Sequence, residues 1–311
     1  MNKFMMWYRS LDETNHFSFY LAVFRVFIGI HLIKKILFKW SGLSLFFSGD
    51  FFQLDPSNSL IGVMAPGFLT LVYSNYEWLM FSVLTLALMM IFGIGRRLTI
   101  ALLFVTICIY QHALFLSLNG GDNLLYFAVL YLCFAQSFDY LCLFRTEQSS
   151  PKTKSKWYQL SLTASNLAVY SMMFHLCLVY ITSAIHKIHS DVWFNGVALY
   201  YILSIDRFSG PLSEIIAKNG FLVTTGTYFT LLFEGLFPIL IWYRAHRPWL
   251  LMSGIFLHLG IYVTMMIFDF ELFFIAVYGF FITNEEWLTV RAWVRDKMLP
   301  HSSRSTTALA S

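Results

Sequence analysis

The sequence predicts an all-α, polytopic integral membrane bundle of about eight transmembrane helices, with irregular or re-entrant segments gathered on the non-cytoplasmic side. Three observations predict it. Of 311 residues, 58% are hydrophobic and 12% charged, with mean hydropathy +0.64, where a soluble domain carries about 25% charge. Several apolar runs exceed the ~20 residues that a spanning helix needs. Lysines and arginines concentrate in alternate connections, as they do in polytopic membrane proteins. The net charge of +4 is too small, and the basic residues too scattered, for nucleic acid to be a partner.

The N-terminal Phe4–Tyr8 run is too short for a signal-peptide core, so residues 1–16 read as a partly amphipathic lead-in. The first span is Phe17–Phe38, interrupted by Arg25. An arginine that deep in a membrane helix must face protein or water, and an acid such as Glu234 or Asp122 is its expected neighbour. Trp40–Glu77 mixes aromatics with Gly42, Gly49, Asp50, Asp55, Pro56, Gly62, Pro66 and Gly67. Its apolar pieces are too short to cross, and broken backbone survives at membrane depth only inside protein or against water. It reads as a re-entrant segment or surface cap.

Spans two and three are Trp78–Ile94 and Leu98–Leu118, separated by Arg96-Arg97. The turn Asn119-Gly120-Gly121-Asp122-Asn123 follows, in which Asp122 or Asn123 is positioned to cap the next helix. Span four is Leu124–Phe144. A polar, lysine-rich linker, Arg145–Lys156, precedes span five, Leu160–Ile185. A second irregular region runs from Trp193 to Gly220. Spans six, seven and eight are Phe221–Tyr243, Pro248–Phe268 and the short Leu272–Thr283. Trp287, Val290, Val294 and Met298 share a helical face beside Arg291, Arg295 and Lys297, the pattern of an interfacial helix on anionic lipid. One domain is thus expected over 1–283, with that helix and a disordered tail over 284–311.

Of the 21 basic residues, only Lys34, Lys35, Lys39, Lys187, Arg207 and Lys218 fall in connections on one side, with Arg25 inside a span. The rest lie opposite, so both termini are expected in the cytoplasm of a cell whose inner membrane holds the chain. Cys108, Cys133, Cys142 and Cys177 make no CxxC pair, so neither a disulfide framework nor a zinc site is predicted. His175, His186 and His189 are placed too loosely for a metal motif.

The chemistry concentrates where span five ends. Tyr180, Ser183, Lys187 and Asp191 recur at intervals of three, four and four residues, hence on one helix face. That face offers a possible base, two hydroxyls and a carboxylate. A lysine there is a base only if desolvation or nearby cations lower its proton affinity. It would then be neutral at rest. It also reads as a snorkelling anchor beside Trp193. Glu234 and His258 lie near the middle of other spans, where ionisable groups mark either function or a buried cluster that holds helices together.

The order of these pieces resembles the HTTM family, the membrane domain shared with vitamin K-dependent γ-carboxylase. Phe24-Arg25-Val26 resembles its early arginine motif. Asn119-Gly120-Gly121-Asp122 resembles the polar turn that opens its fourth helix. Tyr180 to Trp193 resembles its tyrosine–lysine–tryptophan segment, and Glu234 with Pro238, then His258, resemble its later helices. The resemblance covers about Phe17 to Thr283. It implies a reduced lipid quinone as cofactor, with oxygen and, where a substrate is carboxylated, carbon dioxide. It makes Lys187 the quinol-deprotonating base. Asp122, where the carboxylase has histidine, and His186 complete the catalytic set. Asn119, Arg25, Tyr180, Ser183, Trp193, Glu234 and His258 would line the quinone site at the outer face. The chain ends close after its last helix, so it is more similar to stand-alone HTTM proteins of the sporulation-delaying-protein B type. Two functions are therefore expected: modification of a peptide or lipid by quinol chemistry, or a non-enzymatic part in exporting or maturing a secreted peptide, with a partner protein.

Overall fold

A computed structural model describes residues 5, 10–47, 63–114, 117–144 and 155–298. Among them the chain is helical, without a strand. Much of the cap expected between Trp40 and Glu77, the linker around Ser150 and the tail from His301 lie outside the described residues.

Helix α1 (Ser18–Lys39) is the inner strut. Arg25, Phe24, Ile28, Leu32 and Lys35 are all buried. Asn284 caps its start, accepting from the Phe19 N–H at 3.0 Å. A short α2 (Leu43–Phe47) follows, and α3 (Pro66–Ser74) meets α4 (Tyr76–Phe92) at a bend of 83°. Gly93 and Gly95, at φ +73° and +68°, turn the chain into α5 (Arg96–Ala113). Such left-handed backbone favours glycine. Then come α6 (Gly120–Phe134) and the long α7 (Lys156–Ile188). Three short helices, α8 (Asp191–Phe194), α9 (Ala198–Leu203) and α10 (Ser213–Ala217), lead to α11 (Gly220–Leu240), α12 (Arg247–Met265), α13 (Phe268–Tyr278) and α14 (Asn284–Met298). Helix α1 packs along α4, α7 along α11, and α13 touches α1, α6, α7 and α12.

Three described helices are long and apolar enough to cross a membrane: α7, α11 and α12. The bent α3–α4 pair makes a fourth if it counts as one span. Several other expected spans fall short of that length and composition among the described residues, for identifiable reasons. Helix α1 has the length but carries Arg25, Lys34, Lys35 and Lys39. The expected fourth span stops at Phe134, because Ala135 turns to ψ 145°, and residues 136–144 run on without helix. The expected eighth breaks into α13, a 3-10 turn at Gly279–Phe281 and an extended Ile282.

The non-helical 136–144 stretch is pinned from several directions. Ser165 accepts from the Gln136 N–H at 2.8 Å, and Gln136 reaches Ser161 at 2.9 Å. Buried Asn166 also ties down the N-terminal lead-in, donating to the Leu11 and Thr14 carbonyls and accepting from the His16 N–H. These bonds fix the beginning of α1 and the 136–144 stretch beside the first turns of α7. The tail helix docks through Asn284, through Trp287, which stacks on Tyr20 at 4.7 Å and donates to the Gly279 carbonyl, and through Arg291 over the Phe19 and Tyr140 rings, leaving Val290, Trp293 and Val294 exposed.

Candidate functional site

The residues at the end of α7 meet side chains from α11, α12 and α13. The Lys187 ammonium pairs with the Glu234 carboxylate and lies 4.6 Å from the centre of the Trp193 ring. Their side chains keep only 19% and 10% of their exposure. An ion pair this dry is held by its own geometry, since water screens it little. Lys187 thus faces a carboxylate, where the sequence reading looks to desolvation or nearby cations.

Two turns back on α7, Tyr180 is the centre of a second group. Its hydroxyl bonds His258 Nε2 at 2.7 Å and also the Tyr278 hydroxyl. His258 Nδ1 bonds Glu271. All four side chains are buried. The Tyr180 ring packs edge-on against Phe233 and Phe237. Gly254 lets α12 approach, since a Cβ there would sit 2.5 Å from the Tyr278 hydroxyl. The two groups share one electrostatic neighbourhood: the charges of Lys187 and Glu234 both act on Glu271, and those of Glu234 and Glu271 act on Tyr180.

Two carboxylate oxygens of these groups, Glu234 Oε2 and Glu271 Oε1, are buried without a hydrogen-bond partner among the described residues. A buried acceptor left so costs about 1–3 kcal/mol. Each of these oxygens therefore keeps acceptor capacity that no described residue uses.

Depth differs from expectation. Glu234 lies about 21 Å along α11 from its start and about 9 Å from its end, at 1.5 Å per residue. The end of α7 therefore reaches the inside of a candidate span. Beyond it α8 and α9 cover the first half of α11, with Tyr228 donating to the Phe194 carbonyl and Thr227 Oγ1 accepting from the Leu199 N–H of α9.

Other predicted residues go elsewhere. Arg25 meets neither Glu234 nor Asp122. Fully buried, it donates to the Leu141 carbonyl at 2.6 Å, the Tyr140 carbonyl at 3.3 Å and Cys142 Sγ at 3.2 Å, with the Phe138 ring 5.0 Å away. That stretch is anchored at Ser165, about 33 Å along α7 from Lys187, so Arg25 and Glu234 stand at opposite ends of the bundle. Asp122 forms a buried ion pair with Lys35 and accepts from the Asn119 N–H at 3.0 Å. Asn119, not Asp122 or Asn123, is the helix cap: its side chain accepts from the Gly121 and Asp122 N–H groups, closing a capping box. His186 and Asp191 are exposed, and Ser183 is half-buried; none of the three side chains makes a hydrogen bond or ion pair among the described residues. His175 sits edge-on to the Phe127 and Tyr131 rings, and no metal-ligand cluster exists among the described residues.

The sequence reading of the site missed Glu271 and Tyr278. Glu271 stands beside Asp269 at a span boundary and so reads as a turn residue, while Tyr278 sits in an aromatic run without a distinguishing neighbour. The signal for Glu271 was its offset of thirteen residues from His258 across a tight connection, which brings the two inward on adjacent helices. No protein-family model, curated protein or solved structure matches this chain.

Proposed function

We propose that this protein is a membrane-embedded proton-transfer enzyme in which Lys187 acts as base toward the hydroxyl of a reduced lipid quinone. The observation that carries this is the Lys187–Glu234 pair inside a candidate span, beside a carboxylate oxygen that has no partner among the described residues. In a medium of low polarity an ammonium–carboxylate pair and its proton-shifted amine–acid form lie close in energy. Passing its proton to Glu234 makes Lys187 a free amine without moving net charge. Trp193 covers one side of Nζ and excludes water there. Lys187 Nζ would then take the proton of a hydroxyl, and the proton now on Glu234 would donate a hydrogen bond to that oxygen. A reduced quinone, when bound, supplies that hydroxyl and the electrons that oxygen receives.

The resemblance to the HTTM family supports the same assignment and extends it to modification of a peptide or lipid, with carbon dioxide consumed if the product is a carboxylate. The eightfold crossing, cytoplasmic termini, inner-membrane location and outward-facing access belong to this proposal. A second reading, a non-enzymatic part in peptide export or maturation, is favoured by one observation: Lys187 is fully engaged by Glu234 and Trp193, as an anchor would be.

Hydroquinone oxidation by the purified protein, followed as oxygen uptake, separates the two. Lys187→Arg keeps charge and pairing but cannot release a proton near neutral pH. Loss of turnover in a folded Lys187→Arg protein is expected; unchanged turnover, or no turnover in the parent protein, removes the enzymatic reading.

A further inference from the structure

The non-helical 136–144 stretch forms most of the wall of a cavity that the Lys187 chemistry does not use. Asp139, Tyr140, Leu141, Cys142 and Arg291 line it, and its volume is about 250 Å³. At about 30 Å³ per water it has room for about eight water-sized groups. It lies at the other end of the bundle from Lys187, where Ser165 anchors the chain.

The two charged residues of the lining have opposite signs and do not pair with each other. Arg291 makes no hydrogen bond or ion pair among the described residues. Its guanidinium lies 5.3 Å from the centre of the Tyr140 ring and 5.5 Å from that of Phe19. Aromatic faces hold the charge and leave the N–H donors unused. Asp139 Oδ2 accepts from Asn15 Nδ2 at 3.3 Å, and its other oxygen has no partner among the described residues. Asn15 also donates to the Gln136 carbonyl at 2.9 Å, which fixes the carboxylate against the 136–144 stretch.

The charge around this wall is positive. Arg25 stands behind the lining and donates to the Leu141 carbonyl at 2.6 Å and to Cys142 Sγ at 3.2 Å. The guanidinium groups of Arg25 and Arg96 lie 5.0 and 5.9 Å from the centre of the Phe138 ring. Three guanidinium groups thus meet one lining carboxylate, which favours an anion as ligand. A guanidinium with unused donors matches a phosphate. A carboxylate needs a donor, and among these cations a neutral hydroxyl suits it better than an ammonium. Leu141 in the lining, with Leu143 and Phe144 next in the chain, is exposed. A cavity of this size takes a headgroup and leaves acyl chains outside, against that apolar surface.

We propose that the cavity is a headgroup site for an anionic phospholipid whose phosphate carries a glycerol-type hydroxyl. Arg291 holds the phosphate, and Asp139 accepts from the hydroxyl. The site is independent of the reading of Lys187 as a base.

The test uses the full-length protein in detergent and three phospholipids with the same short acyl chains. These are phosphatidylglycerol, phosphatidylmethanol, which has the same charge without a hydroxyl, and phosphatidylethanolamine. Native mass spectrometry reads the apparent dissociation constants. Phosphatidylglycerol is expected to bind about tenfold more tightly than either of the others, the worth of one hydrogen bond to a charged group. Equal binding of phosphatidylglycerol and phosphatidylmethanol overturns the inference, as does equal or tighter binding of phosphatidylethanolamine. Arg291→Gln is expected to weaken phosphatidylglycerol about tenfold. Lys297→Gln, which removes an exposed charge of the same helix, should change it by less than about twofold. Equal losses in the two variants mean diffuse attraction to α14 and overturn the site. Asp139→Ala is expected to bring phosphatidylglycerol and phosphatidylmethanol level; a preference that survives in the folded variant overturns the inference. Should Asp139→Ala not fold, the lipid series with the parent protein and with Arg291→Gln decides it. Free glycerol phosphate that competes as well as the lipid overturns a lipid as the occupant.

Discussion

Replacing Lys187 by methionine keeps the length of the stem and removes the charge, leaving the Glu234 carboxylate buried against α7 without its ammonium. Breaking one side of a buried pair costs about 3–5 kcal/mol. The low end, about 3 kcal/mol, applies because the Lys187 side chain retains 19% of its exposure and water relieves part of the loss. At about 2–4 °C per kcal/mol for a chain of this size, Lys187→Met should unfold about 6–12 °C below the parent protein in detergent. Adding Glu234→Met removes the stranded carboxylate and should return most of that loss, to within about 1 kcal/mol of the parent. Lys187→Arg should keep stability within about 1 kcal/mol, and cost about a hundredfold or more in hydroquinone oxidation if the lysine is the base. Thermal unfolding of the four proteins, read by circular dichroism, checks the energetics apart from the chemistry. A double variant as unstable as Lys187→Met would refute the pairing argument, since the loss would then come from stem packing against Trp193.

Three further outcomes follow from other parts of the fold. Gly93→Ala should lose about 1–3 kcal/mol, because φ is +73° and the new Cβ would approach Cys142 Sγ and Arg25 Nη1 at 2.5 and 2.7 Å; thermal unfolding of the variant measures it. Glu286 accepts from the Thr283 N–H and hydroxyl at the start of α14, and that N–H foremost holds its carboxyl below the usual 4.5. A lowered folded value stabilises above the unfolded one and is lost as pH falls, so α14 helicity should decline below pH 4.5 in the parent and not in Glu286→Gln, as helical circular dichroism on acidification would show. A reporter fused after Ser150 should be cytoplasmic and one inserted near Ser209 external, with the reverse pattern overturning the orientation drawn from basic residues.

The helices themselves are largely legible in the sequence, because apolar runs and the glycines that end them are local signals. The first helix begins at Ser18 where the pattern places Phe17, and α11 begins at Gly220 where it places Phe221. What fails is inference across helices. Tyr180 and Lys187 share a face by spacing alone, but Glu234 as the lysine's partner depends on α11 sliding past the end of α7, an offset that no local pattern encodes. The same offset takes the site from a helix mouth into a candidate span. Span four illustrates the opposite limit: Ala135–Phe144 is apolar enough to read as helix, yet its backbone serves Arg25 and Ser165 instead. Hydropathy records what a segment tolerates, not which hydrogen bonds claim its carbonyls.

Arg25 and Lys187 make the clearest contrast between buried cations in this protein. Both sit where a charge needs an answer, but the answers differ. Arg25 spends its guanidinium on two carbonyls, a thiol and a ring, all neutral. Lys187 faces an ionised acid. Removing Arg25 therefore strands neutral acceptors, each worth about 1–3 kcal/mol, and no single acid-to-neutral change elsewhere should restore the loss. Removing Lys187 strands a charge, and one change at Glu234 should restore it. The distinction also bears on function. A guanidinium held by carbonyls cannot give up its proton near neutral pH, so Arg25 can only hold the 136–144 stretch in place. An ammonium held by a carboxylate already has a proton acceptor within reach. Of Arg25 and Lys187, only Lys187 is placed to exchange a proton, and Arg25→Met should therefore lower stability while leaving the pH profile of any turnover unchanged.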